Sequence, residues 1–313
     1  MTHCTVQPLA AAQPRKRRIS GVLLLDKPAG ITSHTAVSKA KRLFAATKAG
    51  HTGTLDPLAT GLLPICFGEA TKFSHVLLDA DKTYAATVRL GVTTSTGDME
   101  GDVTATAPVA VDRLVLEAVL KRFAGEILQT PPMYSAVKHA GKPLYKYARA
   151  GIELARTPRR VCIRAIELAG VTSDELRIHV TCSKGTYIRV LAEDIGRALG
   201  YGACLAALRR TAVGDFEISA AVKLDALCDM APDERDTHLL PVDSLVAALP
   251  RVDLDEGQAQ KIATGRTVQS PCTVHPGLVR IYGPRQEYLG IATMEMPGSI
   301  VPRRLMATAT DAA

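Results

Sequence analysis

Alternating apolar and polar positions predict two half-buried strands in the middle of the chain. Over residues 82–91 the even positions carry Tyr84 and three aliphatic side chains, whereas the odd positions carry threonine, alanine and arginine. Residues 175–182 repeat this period of two, which is the spacing that sends side chains to opposite faces of a strand. A continuous apolar run at 21–25 predicts a buried strand, and we expect another strand near 161–166.

Apolar residues spaced three and four positions apart predict four helices. We expect Ser33 to cap the first helix, which Gly50 ends, and Asp112 to cap the second. The third covers residues 188–199, directly after a strand-to-helix turn, and the fourth covers 255–264. On the second helix, the side chains expected to face inward are Leu114, Val115, Ala118, Val119 and Phe123.

Prolines and composition divide the chain into a tail, a main domain and a small module. Residues 1–20 read as a flexible tail with a basic run at Arg15–Arg18, and the prolines between 232 and 250 read as a linker. Short strands near 278–282, 287–295 and 300–307 then predict a separate β-rich module over 250–313. The main domain therefore spans 21–249.

Composition narrows the class of protein. The chain has 313 residues, of which 47% are hydrophobic, so it can bury a large core. Its net charge of +7 favours a polyanionic partner, although a solvated basic surface is the alternative. Its seven cysteines are scattered and never form a C-x-x-C pair, which disfavours a disulfide framework or a zinc site. Without an apolar run of membrane length, we expect a soluble, cytoplasmic protein.

Positive charge is concentrated in one segment, residues 131–160. From 138 to 164 there are eight basic residues and a single acid, with three tyrosines in or beside this stretch. Cations interleaved with aromatic rings suit phosphate neutralisation and base stacking, whereas a solvated loop is the alternative. The cations singled out as RNA contacts are Lys142, Lys146 and Arg149.

Residues 51–61 have neither helical nor strand periodicity and contain one carboxylate. Gly53 and Gly61 permit unusual backbone angles, while Pro57 stiffens the chain and biases Asp56 toward an extended conformation. A lone, rigidly held carboxylate suits a nucleophile or base that works without a metal, but an ordinary turn uses the same residue types. For Tyr84, at the start of the first alternating strand, core packing is favoured at this point over a role in the site.

Six motifs in sequence order carry a resemblance to a known family. They are Lys27-Pro28-x-Gly30-x-Thr32-Ser33, Gly50-His51-Thr52-Gly53-Thr54-Leu55-Asp56-Pro57, Gly68-x-Ala70-Thr71-Lys72, Lys82-x-Tyr84, Thr130-Pro131-Pro132-x-Tyr134-Ser135-Ala136 and Cys182-x-Lys184-Gly185-Thr186-Tyr187-Ile188-Arg189. Together they resemble the TruB family of tRNA pseudouridine synthases, from about Gly21 to Leu249. The C-terminal region resembles that family's small PUA-type RNA-binding module.

The resemblance implies an α+β fold, with a mixed, largely antiparallel sheet flanked by helices and an RNA-gripping insertion at 131–160. It implies isomerisation of uridine to pseudouridine at tRNA position 55 in the T loop, after base flipping. Nothing is oxidised and nothing leaves, so no cofactor is expected. The expected partner is the T-arm of tRNA. We also expect the enzyme to be a monomer with no obligatory protein partner.

The resemblance also assigns residues. Asp56 matches the catalytic aspartate, Tyr84 the tyrosine that stacks on the target base, and Arg189 the arginine that pairs with the aspartate. In the same way Tyr187 and Leu208 match residues that line the base pocket.

Further matched positions imply contacts with the substrate or RNA. His51 matches a residue associated with holding the flipped conformation, and Lys27 and Lys72 lie in the matched motifs. Ser95 stands where many members carry an acid, while Asp98 remains as a candidate for that loop's RNA contact.

Two other functions fit much of the same surface. One is a non-catalytic RNA-binding or RNA-folding protein, which the joint presence of Asp56, Tyr84 and Arg189 disfavours. The other is a guide-RNA-dependent relative, which the short C-terminal module and the tRNA-type insertion disfavour.

Overall fold

The computed structural model describes residues 16–269, 275–295 and 298–307. Residues 1–15, which hold most of the predicted tail, lie outside the described residues. In chain order the strands are β1 (Gly21–Lys27), β2 (Ala49–His51), β3 (Thr60–Phe67), β4 (Lys82–Leu90), β5 (Val92–Thr94), β6 (Val103–Thr106), β7 (Gly125–Gln129), β8 (Lys138–His139), β9 (Lys142–Pro143), β10 (Arg159–Val171), β11 (Glu175–Cys182), β12 (Ala203–Val213), β13 (Phe216–Glu217), β14 (Val222–Lys223), β15 (Leu239–Leu240), β16 (Arg251–Asp253), β17 (Val268–Gln269), β18 (Gly277–Tyr282), β19 (Tyr288–Glu295) and β20 (Ser299–Leu305).

Most helices are short. They are α1 (Ser33–Leu43), α2 (Ser74–Asp79), α3 (Arg113–Arg122), α4 (Leu144–Ala148), α5 (Ile188–Leu199), α6 (Leu224–Asp229), α7 (Pro232–Asp236) and α8 (Glu256–Ala263). Three 3₁₀ turns cover Gly68–Lys72, Ile218–Ala220 and Val242–Val246. In the described part of the chain, no helix is both long and apolar enough to span a membrane.

The main sheet is mixed and largely antiparallel, as expected for the fold. Its strands follow the order β14-β1-β3-β12-β4-β11-β10-β7, with parallel pairing only for β1 with β14 and for β3 with β12 along this path. The alternation predicted for residues 82–91 is confirmed, since every even position of β4 is buried. One face of the sheet packs against α1, α3 and α5, and the other packs against α2 and the 3₁₀ turns.

The C-terminal module is a five-stranded sheet with order β16-β18-β19-β20-β17, and its three predicted strands are confirmed. It is docked on the main domain. The ring of Tyr288 lies 5.3 Å from that of Phe73, edge to face, and the Tyr282 hydroxyl donates to the Asp243 carboxylate. Lys72 adds a hydrogen bond of 3.2 Å to the Leu305 carbonyl.

Several sequence predictions of structure are wrong. The proline-rich region at 232–250 is no linker, because β15 pairs with β1 and Val242–Val246 packs into the core. Thr32, not Ser33, caps α1, and that helix ends at Leu43 rather than Gly50. On α3, Leu114 is 77% exposed while Leu116, Val119 and Leu120 are buried, so the inward face is rotated from the predicted one.

The N-terminal segment contacts the main domain at Arg17. Arg17 forms an ion pair with Asp236, and its backbone bonds to Ala45 and Thr47. The flexible tail predicted for residues 1–20 is therefore wrong at Arg17. The basic side chain belongs to the packing of this end of the chain against the main domain.

Candidate active site

Asp56 sits in a braced loop between β2 and β3. Gly53 and Gly61 adopt positive φ angles of 138° and 100°, the conformations for which glycine was predicted there. At Gly61 the need is also spatial, because a Cβ would come within 2.3 Å of the Arg210 carbonyl oxygen on the neighbouring strand. The Asp56 side chain remains 41% exposed, so the loop presents its carboxylate to solvent.

Three contacts hold this loop from below. The Ser33 hydroxyl donates to the Leu55 carbonyl at 2.9 Å and accepts from the Leu55 amide at 2.7 Å. The Gly30 amide donates to the Pro57 carbonyl at 2.9 Å. Both sides of Asp56 are therefore fixed to the first helix and the turn before it, which leaves the carboxylate little freedom to move.

Arg189 fixes the carboxylate itself. Its Nη2 lies 3.0 Å from Asp56 Oδ2, and its Nη1 lies 3.5 Å from Asp98 Oδ2. The same guanidinium donates to the carbonyls of Thr96 and Tyr134 at 3.0 and 2.7 Å. Arg189 is only 5% exposed, so this network lies in a low-dielectric setting that strengthens its ion pairs. An arginine held on four sides can fix the orientation of Asp56.

The turn before α5 delivers Arg189 and Tyr187 to the site. Residues 183–186 form a turn in which the Thr186 hydroxyl donates to the Ser183 carbonyl at 2.9 Å. The Gln129 side chain then clamps the Tyr187 backbone, accepting from its amide at 3.0 Å and donating to its carbonyl at 3.3 Å. Sequence reasoning missed Gln129, because a glutamine at the end of a short strand carries no signal of its own. It acts on the site only through backbone atoms.

A cavity of about 270 Å³ opens beside Asp56 and forms the inner cavity of the site. Tyr84, Tyr187 and Leu208 all line it, as predicted, together with Arg189. Tyr84 also belongs to the core cluster of buried residues, so one side chain both packs in the core and lines the cavity. Burial raises the pKa of Tyr84, and its phenol is therefore neutral over the physiological pH range. Flat aromatic and apolar walls of this kind suit a planar base.

Arg210 is the main site residue that sequence reasoning missed. It stands directly opposite Tyr84 in the pairing of β12 with β4 and is 1% exposed. Its Nε donates to the Leu62 carbonyl at 2.7 Å and its Nη2 to the Gly53 carbonyl at 3.1 Å. The strand that carries it was not predicted, although two arginines following Leu208 in an otherwise apolar stretch were a usable signal.

A second, wider cavity of about 520 Å³ shares Asp56 and Arg189 with the first. His51, Tyr145 and Arg149 line it. The His51 Nδ1 accepts from the Gly53 amide at 3.3 Å. Burial, together with the nearby Arg210, lowers the pKa of His51, so the imidazole is neutral near pH 7. This cavity forms an outer chamber in front of the inner one.

The basic insertion, residues 131–160, flanks the outer chamber. Its hairpin β8–β9 leads into α4, which the buried Leu144 anchors. The Lys142 ammonium lies 4.6 Å from the ring centre of Tyr147, and the Arg149 guanidinium lies 5.5 Å from that of Tyr145. Within the described residues, none of Lys142, Lys146 and Arg149 has a carboxylate within 4.0 Å, and all three are exposed.

Three predicted RNA contacts are engaged in contacts within the protein. Lys27 is fully buried, and its ammonium donates to the carbonyls of Pro28 and Ile31 at 2.9 and 2.7 Å. Asp98 is 3% exposed behind Arg189. Lys72 pairs with Glu69 at 2.7 Å and joins the C-terminal module. The burial of Lys27 and Asp98 conflicts with direct contact to RNA, because a phosphate or base cannot reach them without opening the loop.

No group of three or more histidine, cysteine, aspartate or glutamate side chains in the described residues has the arrangement of a metal site. The charged and aromatic side chains that line the inner cavity are Asp56, Lys82, Lys184, Arg189, Arg210, Tyr84 and Tyr187.

Comparisons with known proteins agree with this geometry. The model of the TruB family pseudouridylate synthase N-terminal domain matches residues 41–188, and two TruB C-terminal models match 189–247 and 250–306. A tRNA pseudouridine synthase B of Aromatoleum aromaticum is 55% identical over 298 residues, which cover 95% of this chain and 96% of that protein. The chain belongs to the TruB family of pseudouridylate synthases.

Other relatives extend the comparison. A tRNA pseudouridine synthase B of Burkholderia mallei is 53% identical over 312 residues, covering 97% of this chain and 99% of that protein. Among solved structures, a Cbf5-Nop10-Gar1 complex contains a chain with a TM-score of 0.71 and 28% identity, covering 92% of this chain and 84% of that one. An H/ACA RNP bound to a substrate RNA containing 2′-deoxyuridine gives a TM-score of 0.72 at 25% identity, covering 92% and 85%. The TruB fold is thus shared between proteins named for tRNA and subunits of ribonucleoprotein complexes.

Proposed function

We propose that this TruB-family chain isomerises uridine to pseudouridine in tRNA, at position 55 of the T loop. The observation that carries the proposal is the Asp56 carboxylate, fixed by Arg189 at the boundary between an outer chamber and an inner cavity with aromatic walls. Relatives of 53–56% identity over nearly the whole chain are named tRNA pseudouridine synthase B, which supports tRNA as the substrate.

The mechanism begins with entry of a flipped base. Extruding a base from a stacked loop costs a few kcal/mol. The exposed cations of the basic insertion would offset this cost by binding phosphates, and rings such as Tyr145 would receive unstacked bases in the outer chamber. The target uracil then enters the inner cavity and lies against Tyr84, opposite Leu208.

Asp56 acts on the bound nucleotide as an ionised carboxylate. Two routes use it: covalent attack on the sugar or ring, or removal of a sugar proton to give a glycal. In both, the bond between N1 and C1′ breaks, the uracil turns within the cavity, and a bond between C5 and C1′ forms. Arg189 serves both routes in the same way, by holding the Asp56 carboxylate in one orientation toward the nucleotide.

The likeness to Cbf5-containing structures favours a second candidate, guide-RNA-dependent modification. The stand-alone function is better supported, because the tRNA-named relatives are about twice as similar in sequence and align to nearly their full length. We further propose that the chain acts as a monomer in the cytoplasm without a protein partner.

The test is turnover on a bare T-arm stem-loop labelled with tritium at C5 of its uridines, with no other protein or RNA present. Pseudouridine formation releases the C5 hydrogen, so the proposal expects tritium release from the stem-loop. A matched stem-loop with cytidine at position 55 should release none. Tight binding of the uridine stem-loop without release would instead support an RNA-binding protein, and release only with an added guide would support the second candidate.

A further inference from the structure

Two buried cations line the inner cavity beyond those that the Asp56 network uses. Lys82, at the start of β4, is 7% exposed, and its ammonium donates to the carbonyls of Leu78 and Ala80 at 2.6 Å each. Arg210 is 1% exposed and donates to the Leu62 and Gly53 carbonyls. Both residues border the cavity, and their hydrogen-bond acceptors are neutral: backbone carbonyl oxygens for Lys82, and backbone carbonyl oxygens with the Tyr84 phenol for Arg210.

Their charges are not neutralised by acids. Among the described residues, neither Lys82 nor Arg210 has a carboxylate within 4.0 Å, whereas Arg189 has two. Asp79 and Asp81 act electrostatically on Lys82, but each forms an ion pair with another cation. Asp79 pairs with Lys184 at 2.8 Å, and Asp81 pairs with Arg164 at 3.1 Å. The inner cavity therefore holds more positive charge than Asp56 and Asp98 balance.

This arrangement is costly for the fold. Withdrawing a cation from water costs several kcal/mol unless a charge compensates it. The cost is visible in Lys82, because burial and the neighbouring Arg210 lower its pKa to about 8. The two neighbouring cations also repel each other. If these hydrogen bonds were purely structural, neutral donors would make them at a lower free-energy cost. Uncompensated charge of this kind in a cavity points to a bound anion.

The reaction supplies an anion in the cavity. When the N1–C1′ bond breaks, its electron pair leaves with the uracil, which becomes an anion with charge spread over N1, O2 and O4. Formation of the C5–C1′ bond then consumes that charge, C5 loses its proton, and N1 gains one. No atom leaves the nucleotide overall. Donors placed in advance around a developing charge lower the barrier to its formation, and they do so most strongly in a cavity that excludes water.

We propose that Lys82 and Arg210 form a cationic floor that stabilises the detached uracil anion while it turns. This inference rests on the proposed function and adds to it a catalytic role for two side chains that line the same cavity as Asp56. It also explains retention, since an anion attracted to the floor stays in the cavity between bond cleavage and bond formation.

The decisive experiment compares two leaving groups. One T-arm stem-loop carries uridine at the target and the other carries 5-fluorouridine, whose electron-withdrawing fluorine already stabilises the uracil anion. Uridine and pseudouridine have the same mass, so the single-turnover reaction is followed by chromatographic separation and mass spectrometry of the nucleosides from digested RNA. The buffer is mildly acid, so that N3 of both bases keeps its proton. The variants are Lys82→Gln, which keeps donors for the backbone carbonyls but loses the charge, and Lys82→Arg, which keeps the charge.

Loss of anion stabilisation has a specific signature. Lys82→Gln should slow cleavage of uridine about 100- to 1,000-fold and that of 5-fluorouridine several-fold less, with unchanged RNA affinity. Lys82→Arg should restore much of the rate on uridine. An exposed lysine on α3 provides the control, and Lys121→Met should change neither rate.

Other outcomes overturn the proposal. Equal losses on the two substrates, or a lower Tm with normal rates, would make Lys82 a structural tie. If Lys82→Gln does not fold, Arg210→Gln provides the same comparison and the same criterion. A wild-type protein inactive on both stem-loops would refute the proposed function itself, which is a separate result.

Discussion

The molecule carries its positive charge in two contrasting settings. In the inner cavity, Arg189 and Arg210 are almost fully buried, and protein oxygens fix each guanidinium in one orientation. In the basic insertion, Lys142, Lys146 and Arg149 are exposed, and the first and last of them lie against aromatic rings. The first setting holds charges rigidly in place, and the second leaves them free to find phosphates.

This difference predicts that the buried cations act on the reaction rate and the exposed cations act on RNA affinity. Buried charges act at short range and are little screened by salt, whereas exposed charges act through a salt-dependent exchange of counterions. We therefore expect substitutions in the cavity to change rates at saturating RNA, and substitutions in the insertion to change affinity and its dependence on salt. The largest effect is expected at Asp56.

Asp56→Asn should abolish turnover, because both mechanistic routes need the carboxylate's charge and the amide keeps only its shape. RNA affinity should stay within about twofold, since the change leaves the exposed cations untouched. Tritium release and a binding titration measure the two quantities. The control is Asp236→Asn, which removes a surface carboxylate paired with Arg17 and should retain turnover. Near-normal turnover in Asp56→Asn would remove this residue from the chemistry.

Substitutions of Tyr84 test whether this side chain acts in the cavity, in the core or in both. Because it lines the cavity and packs in the core cluster, Tyr84→Leu should lower both the rate and the Tm. Lost stacking is worth about 1–3 kcal/mol, which corresponds to roughly 5- to 160-fold in rate. Tyr84→Phe keeps the flat ring and should retain most of the activity. Equal loss of rate in the Phe and Leu variants would implicate the hydroxyl instead, and a Leu variant that is less stable but fully active would assign Tyr84 to the core alone.

The strongly periodic parts of the fold were predictable from sequence, and long-range strand pairing was not. The even-position burial of β4 and the helix α5 ending at Gly200 follow directly from local spacing. The strand β12, by contrast, is central in the sheet but carries Arg209 and Arg210, whose charges hide its apolar pattern. Similarly, the proline-rich region looked like a linker because the two-residue strand β15 leaves almost no periodic signal.

Site residues were predictable from sequence when their role follows from the short motif that contains them. Asp56 and Arg189 came from matched motifs, and the structure brings them to 3.0 Å. What escaped were roles created only by tertiary contact. The double hydrogen bond of Ser33 to Leu55 crosses 22 residues, and the bond of Arg210 to the Gly53 carbonyl crosses 157. Burial likewise decides that Lys27 supports the loop from below, which no local pattern could reveal.

Neutralising the basic insertion should reduce affinity without slowing chemistry. In Lys142→Gln/Lys146→Gln/Arg149→Gln, the slope of log K against log salt should shrink by roughly 0.7–0.9 for each phosphate that the variant no longer neutralises. The single-turnover rate at saturating RNA should change little. The control removes the same charge from α3, in Arg113→Gln/Lys121→Gln/Arg122→Gln, and should leave the slope unchanged. If the two triple variants behave alike, the insertion is only a solvated surface.

The smallest effect concerns the cost of keeping Lys27 beneath the catalytic loop. Burial lowers its pKa from 10.5 to about 8, so the folded protein releases this proton at a lower pH than the unfolded chain does. Between these two values the unfolded state binds more protons, and the contribution of Lys27 to stability therefore rises with pH. At pH 7 the lysine is charged in both states, and its buried charge counts against the fold.

Lys27→Met removes this titration while keeping an unbranched side chain of similar length. The Tm of the wild type relative to this variant should therefore increase by about 2–5 °C between pH 7 and pH 10. Lys82 and the buried thiols of Cys66 and Cys182 also have shifted pKa values, but they are present in both proteins and cancel in the difference. Lys142→Met, which removes an exposed cation, should show no such trend. A difference between wild type and Lys27→Met that stays constant over this range would mean that the ammonium is hydrated in the folded protein, and that the division between buried and exposed cations does not extend to Lys27.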